Sequence, residues 1–363
     1  MGGDRTGRAA PVIGFCLAAG AGTRLLPVTR TVPKPLLAPA GRPLIDLAVE
    51  ALGTAGATRV VVNAHHGADR LVARLADRQG VEVVVEPRLL GTGGGLVNAA
   101  RLGLLGDGGD PVLVTAADHV VDPADLADLA ALLDRTGAPM AVGLVPAATD
   151  PYRLYLDDGP GGGLLVRDPG GSWESAGVYA IRAGRLCDLE PGPATLFGRV
   201  LGPLLADGQV AGLPFRRPMA DAGTLARLLG VSAGLLGGRW PYALPPGELR
   251  RGLGGGPVLV AEGAHADPAA VLAGPLVLDA GARVGPGAVV TRAVVGPDAE
   301  VGQGARVTGS FLAPRARVPA GAAVAAALVP PPSARPTRHG SLAPTGPEDG
   351  IAGRNPIGGG LLG

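Results

Sequence analysis

Between residues 278 and 329 the chain keeps apolar residues at a fixed interval: Leu278, Val295, Leu312 and Val329 stand 17 apart, as do Val284, Val301 and Val318, and again Val290, Val307 and Val324. The three lines divide each period into steps of six, six and five, so one period is a turn with three faces. A unit this short cannot bury its own apolar line, but stacked units bury it continuously, which is the logic of a β-solenoid. The pattern argues against a Gly/Ala-rich linker and predicts a coil of short strands over residues 257–329.

The preceding residues have another rhythm. Across 11–87, apolar runs at 12–18, 59–62 and 81–85 alternate with helix-like stretches at 44–52 and 69–76. This is the βαβα order of a parallel sheet covered by helices. It continues with a helix near 94–102 and a strand at 111–115. Asp118 thus stands at the carboxyl end of a buried strand, the edge where open α/β sheets bind ligands. Residues 157–171 read as a hairpin or loop, 177–181 as a strand, and the stretch to 236 as helical. Prolines 241, 245 and 246 and the glycine run 254–256 mark 237–256 as a linker. Residues 330–363 carry Pro, Gly and scattered charges with no apolar period, and are expected to form a disordered tail.

Charge and composition exclude several classes of function. The 32 basic and 31 acidic residues leave a net charge of +1, too little to hold a polyanion by counterion release, so no nucleic-acid partner is expected. Cys16 and Cys187 make neither a disulfide framework nor a metal cluster. No apolar stretch reaches the roughly 18 residues that span a bilayer, so the expectation is a cytoplasmic protein without membrane association. Lys34 is the only lysine; the other long basic side chains are all arginine. A bias that strong leaves lysine where a compact ammonium with three donors is hard to replace by a planar guanidinium.

Lys34 lies in the densest cluster of the chain, LAAGAGTRLLPVTRTVPKP at residues 17–35. Here a strand runs into a loop of small residues, Leu17, Ala18, Ala19, Gly20, Gly22 and Thr23, whose backbone N–H groups can approach phosphate oxygens unobstructed. Arg24 and Lys34 bring two positive charges to the same loop.

This run resembles the L-A-G-G-x-G-T-R-L-x-P-x-T-x-x-x-P-K-P motif of sugar-1-phosphate nucleotidylyltransferases, with particular likeness to mannose-1-phosphate guanylyltransferases and N-acetylmuramate-1-phosphate uridylyltransferases. Gly91-Thr92-Gly93-Gly94-Gly95 after Glu86-Pro87 is similar to the family's second glycine turn. Ser175-Ala176-Gly177-Val178-Tyr179 resembles its (N)AGIY strand and Asp221-Ala222-Gly223-Thr224 its D-(I/V)-G-T motif, all in the family's order. Hexads such as VGPGAV at 284–289 resemble those of hexapeptide-repeat proteins, a common C-terminal appendage in that family. The resemblance implies a doubly wound, Rossmann-like α/β nucleotidyltransferase domain over 11–236, followed by a short left-handed parallel β-helix over 257–329. It also implies transfer of a nucleoside monophosphate from an NTP to a sugar 1-phosphate with release of pyrophosphate and no covalent intermediate. Carried onto this chain, it implies nucleotide contacts from Leu17, Ala18, Ala19, Gly20, Gly22, Thr23, Gly91, Thr92 and Gly93. Arg24 would hold the departing phosphates and Lys34 the charge developing between α-phosphate and sugar phosphate. Asp118 and Asp221 would bind Mg²⁺, and Gly177, Glu174 and Arg167 would meet the sugar phosphate.

The departures are specific. Ala117 stands where relatives place glycine, Met219 stands where an aromatic is usual, and the E-K-P motif is replaced by Val166-Arg167-Asp168-Pro169. GTP with mannose 1-phosphate is the leading expectation, with UTP or dTTP and a non-catalytic NDP-sugar-binding relative as alternatives. An acyltransferase site in the solenoid is not expected, because His265 is the only histidine there; a scaffold or homo-oligomerisation role is. His65 and His66, on opposite sides of an extended segment, are poorly placed to share a metal, and Asn98 is expected to be structural.

Overall fold

The computed structural model describes residues 11–106, 108–147, 154–157, 163–167 and 170–332. From residue 333 onward the expected tail lies outside the described residues, as do the side chain of Arg167 and residues 158–162 and 168–169 of the hairpin or loop expected at 157–171. In chain order the first elements are β1 (Val12–Leu17), α1 (Leu44–Thr54), β2 (Ala57–Ala64), α2 (Ala68–Leu75), β3 (Val81–Val85) and α3 (Gly91–Arg101). There follow β4 (Pro111–Ala116), β5 (His119–Val120), α4 (Pro123–Thr136), β6 (Met140–Pro146), β7 (Leu154–Asp157), β8 (Leu164–Arg167) and β9 (Trp173–Arg182). Then come α5 (Gly184–Cys187), α6 (Gly202–Ala206), β10 (Val210–Pro214), β11 (Ala220–Asp221), α7 (Leu225–Leu236), β12 (Gly247–Arg251) and β13 (Pro257–Ala261).

The main sheet has nine strands in the order β3-β2-β1-β4-β9-β6-β10-β8-β7. Its first four are parallel, as the alternating rhythm predicts, and Phe15 of β1 faces Val61 of β2 and Val114 of β4. Burial on both faces explains why β1 is an unbroken apolar run. Beyond β4 the sheet is mixed, because β9 lies antiparallel between β4 and β6. Helix boundaries follow ordinary capping chemistry: Asp122 accepts the Ala124 N–H at 2.9 Å to start α4, and Gly137, at φ 65°, ends it.

The C-terminal strands stack in three parallel sheets. Down one face Leu259, Val277, Val294, Phe311 and Leu328 stand in register; Arg283, Glu300 and Arg317 do so on the second, and Val290, Val307 and Val324 on the third. The first coil carries one extra residue: Val271 to Val277 spans six positions where Val289 to Val294 spans five. The apolar lines therefore reach back to β13, one coil before the strict 17-residue period begins. β12, inside the segment 237–256, pairs antiparallel with β13.

Alternation along these short strands gives the solenoid two apolar surfaces. Leu276, Leu278, Val284, Val290 and Val295 point into the coil, whereas Leu259, Val277, Val294 and Phe311 enter one core with Leu228, Val231 and Leu235 of α7 and with Trp240. The described residues through Pro332 accordingly form one compact unit. No helix among them is long and apolar enough to cross a membrane.

Candidate active site

The carboxyl ends of β1 and β4 open into a cleft of about 420 Å³. The Ala117 N–H donates to Leu17 O at 2.9 Å, and the Ala18 N–H donates to Asn63 Oδ1 at 2.8 Å. Asn63 Nδ2 in turn donates to Glu86 Oε1 at 2.7 Å, and Glu86 Oε2 accepts the Leu90 N–H at 3.1 Å. One buried Asn–Glu pair thus sets both the first glycine loop and the start of α3. Gly22 adopts φ 65°, and a Cβ there would lie 2.9 Å from Lys34 Cβ, so the loop doubles back onto the lysine only because residue 22 is glycine.

Leu17, Ala18, Ala19, Gly20, Gly22, Thr23, Arg24, Lys34, Gly91, Thr92 and Asp118 all line this cleft, together with Asn63. Gly93 faces elsewhere: a Cβ on it would come within 2.4 Å of Thr195 O, and one on Gly95 within 2.5 Å of Asn63 and Glu86. The second glycine run therefore serves close packing at its centre and presents Gly91 and Thr92 to the cleft.

Asp118 and Asp221, 103 residues apart in sequence, are brought together by a two-stranded ribbon in which β11 pairs antiparallel with β5. Asp221 stands opposite His119, and the Ala222 N–H donates to Asp118 O at 2.9 Å. The Asp118 carboxylate pairs with Lys34. Burial opposes its ionisation, but the neighbouring His119 and Lys34 charges and the Lys34 hydrogen bond outweigh burial and hold the carboxyl below its ordinary value. Asp221 accepts the Gly223 N–H at 2.8 Å through Oδ1 and pairs with Arg227 through Oδ2. A Cβ on Gly223 would sit 2.6 Å from that Oδ1 and 2.7 Å from Arg24 Nη2, which explains the glycine and places Arg24 beside the same carboxylate. Each aspartate is matched to a cation, so the site is built to hold positive charge. Among the described residues no cluster of three or more His, Cys, Asp and Glu is placed to hold a metal. Mg²⁺ takes one or two carboxylates together with water and phosphate oxygens, so Asp118 and Asp221 offer the donor chemistry that would suit it.

A second cleft, of about 570 Å³, is lined by Asp221 together with Glu174 and Gly177, the latter two expected at the sugar phosphate. Gly177 has φ 70° near a break in the β6–β9 register, and a Cβ on it would lie 2.6 Å from the His119 ring. Arg167 cannot be placed with them, its side chain being outside the described residues. The same cleft holds His119, Arg227, Arg239 and Trp240, which sequence reasoning passed over. It also passed over Asn63 and Glu86, although an asparagine closing a valine-rich strand was a readable signal. Ala117 is buried, so its methyl is accommodated, and Met219 packs against the main core. His65 and His66 serve structure: His65 Nδ1 lies 2.9 Å from Glu86 O and His66 Nε2 lies 3.1 Å from Thr29 O.

Comparison with known proteins agrees with this geometry. The sequence profile of the nucleotidyl transferase family matches residues 13–155. A mannose-1-phosphate guanylyltransferase of Mycobacterium tuberculosis is 31% identical over 298 residues, covering 77% of this chain and 78% of the relative. An N-acetylmuramate alpha-1-phosphate uridylyltransferase of Caulobacter vibrioides is 38% identical over 152 residues, 40% of this chain and 56% of the relative. The enzyme of the same name from Neisseria meningitidis serogroup B is 30% identical over 241 residues, 62% of this chain and 97% of the relative. Nucleotidyltransferases of this kind generally use divalent metal ions. With the motifs of the fold's ligand edge in place and 31% identity sustained over most of both chains, this protein belongs to the nucleotidyltransferase family, among the sugar-1-phosphate nucleotidylyltransferases.

Proposed function

We propose that the chain transfers GMP from GTP to mannose 1-phosphate, releasing pyrophosphate. The observation that carries the chemistry is the β5–β11 ribbon, which brings Asp221 next to the segment of Asp118, itself on the wall of the cleft that holds Lys34 and Arg24. The choice of base and sugar is supported by the guanylyltransferase relative, similar over 78% of its length.

In this reading the NTP lies over the loop from Leu17 to Thr23, and the open backbone of Gly20 and Gly22 takes the phosphates. Asp118 and Asp221 would hold Mg²⁺, which would supply positive charge against the phosphates. A phosphate oxygen of the sugar 1-phosphate attacks the α-phosphorus in line; the new P–O bond forms as the bond to the β-phosphate oxygen breaks. The reaction needs positioning and charge stabilisation more than proton transfer. Arg24, on the exposed turn after the loop, holds the departing pyrophosphate. Lys34 leaves Asp118 for the bridging region between α-phosphate and acceptor. Glu174 and the backbone at Gly177 face the sugar.

A pyrophosphate-release screen of GTP, UTP and dTTP against mannose 1-phosphate and N-acetylmuramate 1-phosphate tests the reading. Turnover highest with GTP and mannose 1-phosphate is the expected result. Preference for UTP with N-acetylmuramate 1-phosphate would transfer the assignment to the uridylyltransferases, and absence of turnover with every pair would overturn it.

A further inference from the structure

The second cleft must receive a sugar phosphate if the reading above is right, and this inference rests on that reading. A sugar 1-phosphate carries between one and two negative charges at neutral pH, and a cleft that binds it needs cations on its wall. The chain has one lysine, and it is already engaged in the first cleft, on Asp118. With Lys34 serving the bridge to the α-phosphate, the cations on the wall of the second cleft must be arginine or histidine. Among the described residues, the cationic side chains lining the second cleft are Arg227 and Arg239, with His119 beside them.

His119 is a poor candidate for a phosphate contact, because its Nδ1 is buried and its ring lies close against Gly177. The two arginines come from one wall. Arg227 stands in the first turn of α7, three residues after the Thr224 cap, and pairs with Asp221. Arg239 follows the end of the same helix, with its guanidinium carbon 5.9 Å from the Trp240 ring centroid, and makes no ion pair among the described residues. Trp240 is itself fixed, since its Nε1 donates to Pro218 O at 2.6 Å and Gly234 leaves room for its ring.

We propose that Arg227 and Arg239 together bind the phosphate of the acceptor, and that Arg227 is held until then as a placeholder on Asp221. The Arg227 side chain is 58% exposed, so its ion pair is screened and weak, and a divalent cation arriving at Asp221 displaces it readily. The freed guanidinium then has a second anion within reach, and its planar fork suits the paired oxygens of a phosphate. Metal loading at Asp221 and acceptor binding in the second cleft are thereby coupled through one side chain.

The test uses the full chain and the variants R227Q, R239Q and R227K. Calorimetry with Mg²⁺ present measures the binding of mannose 1-phosphate and of inorganic phosphate, the latter as a probe of charge alone. Electron paramagnetic resonance measures Mn²⁺ affinity, and steady-state kinetics with GTP gives the acceptor KM. Expected are a tenfold or greater weakening of both anions and a similar rise in acceptor KM in R227Q and R239Q, with partial recovery in R227K. Mn²⁺ affinity in R227Q should be equal or tighter, since a competitor for Asp221 is gone. Anion affinities within twofold of wild type in both glutamine variants would overturn the proposal. So would loss of Mn²⁺ affinity in R227Q in step with the anions, which would make the arginine a prop for Asp221. Either failure with a wild type that turns over leaves the transferase reading standing; a wild type that neither turns over nor binds GTP removes both.

Discussion

Cutting the chain after Gly256 should damage the catalytic half, although the repeat pattern suggests a detachable appendage. Leu259, Val277, Val294 and Phe311 are at most 2% exposed, and they are buried in the core that also holds Val231, Leu235 and Trp240. Full burial of one such side chain contributes about 1.5–3 kcal/mol, so the four together contribute roughly 6–12 kcal/mol. If half of that reflects surface on the α7 side that returns to water, the shortened chain loses about 3–6 kcal/mol from a native stability of about 5–15 kcal/mol. At about 2–4 °C per kcal/mol for a domain of this size, the melting temperature should fall by roughly 6–24 °C. The loss reaches chemistry because α7 begins directly after Asp221 and Gly223. Thermal melts by circular dichroism, GTP calorimetry and light scattering of residues 1–256 against the full chain measure it. In the full-length chain Phe311→Ala should cost about 3–5 kcal/mol through the same core. A shortened chain that melts within 2–3 °C of the full one and binds GTP equally well would refute the shared-core argument.

Asp118→Asn and Asp221→Asn should each lower turnover by orders of magnitude and weaken Mn²⁺ binding with little change in circular dichroism; EDTA-insensitive turnover near wild type in either variant would remove the metal assignment. Lys34→Arg keeps the charge but replaces the compact ammonium paired with Asp118, and should cut turnover by roughly 10², about 2.7 kcal/mol at 1.36 per tenfold, with a much smaller effect on calorimetric GTP affinity. Asn63→Leu removes the partner of a buried glutamate and of the Ala18 N–H, for an expected loss of about 2–5 kcal/mol by chemical denaturation; a change below 0.5 kcal/mol would show that the loop does not depend on it. Asp279 is buried, and burial raises its pKa despite the Ala280 N–H it accepts at 2.8 Å. The native state therefore holds this proton to higher pH than the unfolded chain does, and stability falls as pH rises through that window. Asp279→Asn should melt above wild type at pH 7, with the gap closing toward pH 4; a gap independent of pH would contradict the burial effect.

The parts whose physics is local or periodic could be read from the residues alone. The 17-residue line of Val and Leu imposes a stacked coil, because no other packing buries it, and the alternating runs before residue 87 impose parallel strands with helices on their faces. The glycine loop carrying Arg24 and the solitary Lys34 was legible because its small residues and cations lie close together in the chain. Even the solenoid's start was readable only in part, since the extra residue between Val271 and Val277 breaks the period. Tertiary structure alone decided what depends on long-range pairing. Asp118 and Asp221 are neighbours because two residues of β11 pair with two of β5, a contact too short to leave a pattern. Gly93 turns away from the nucleotide cleft because the backbone at Thr195 fills its open side. Arg227, Arg239 and His119 look like ordinary polar residues until α7 and β9 close around them. Val277, Val294 and Phe311 look like further members of an apolar repeat, but alternation turns them outward, and only the position of α7 makes them core.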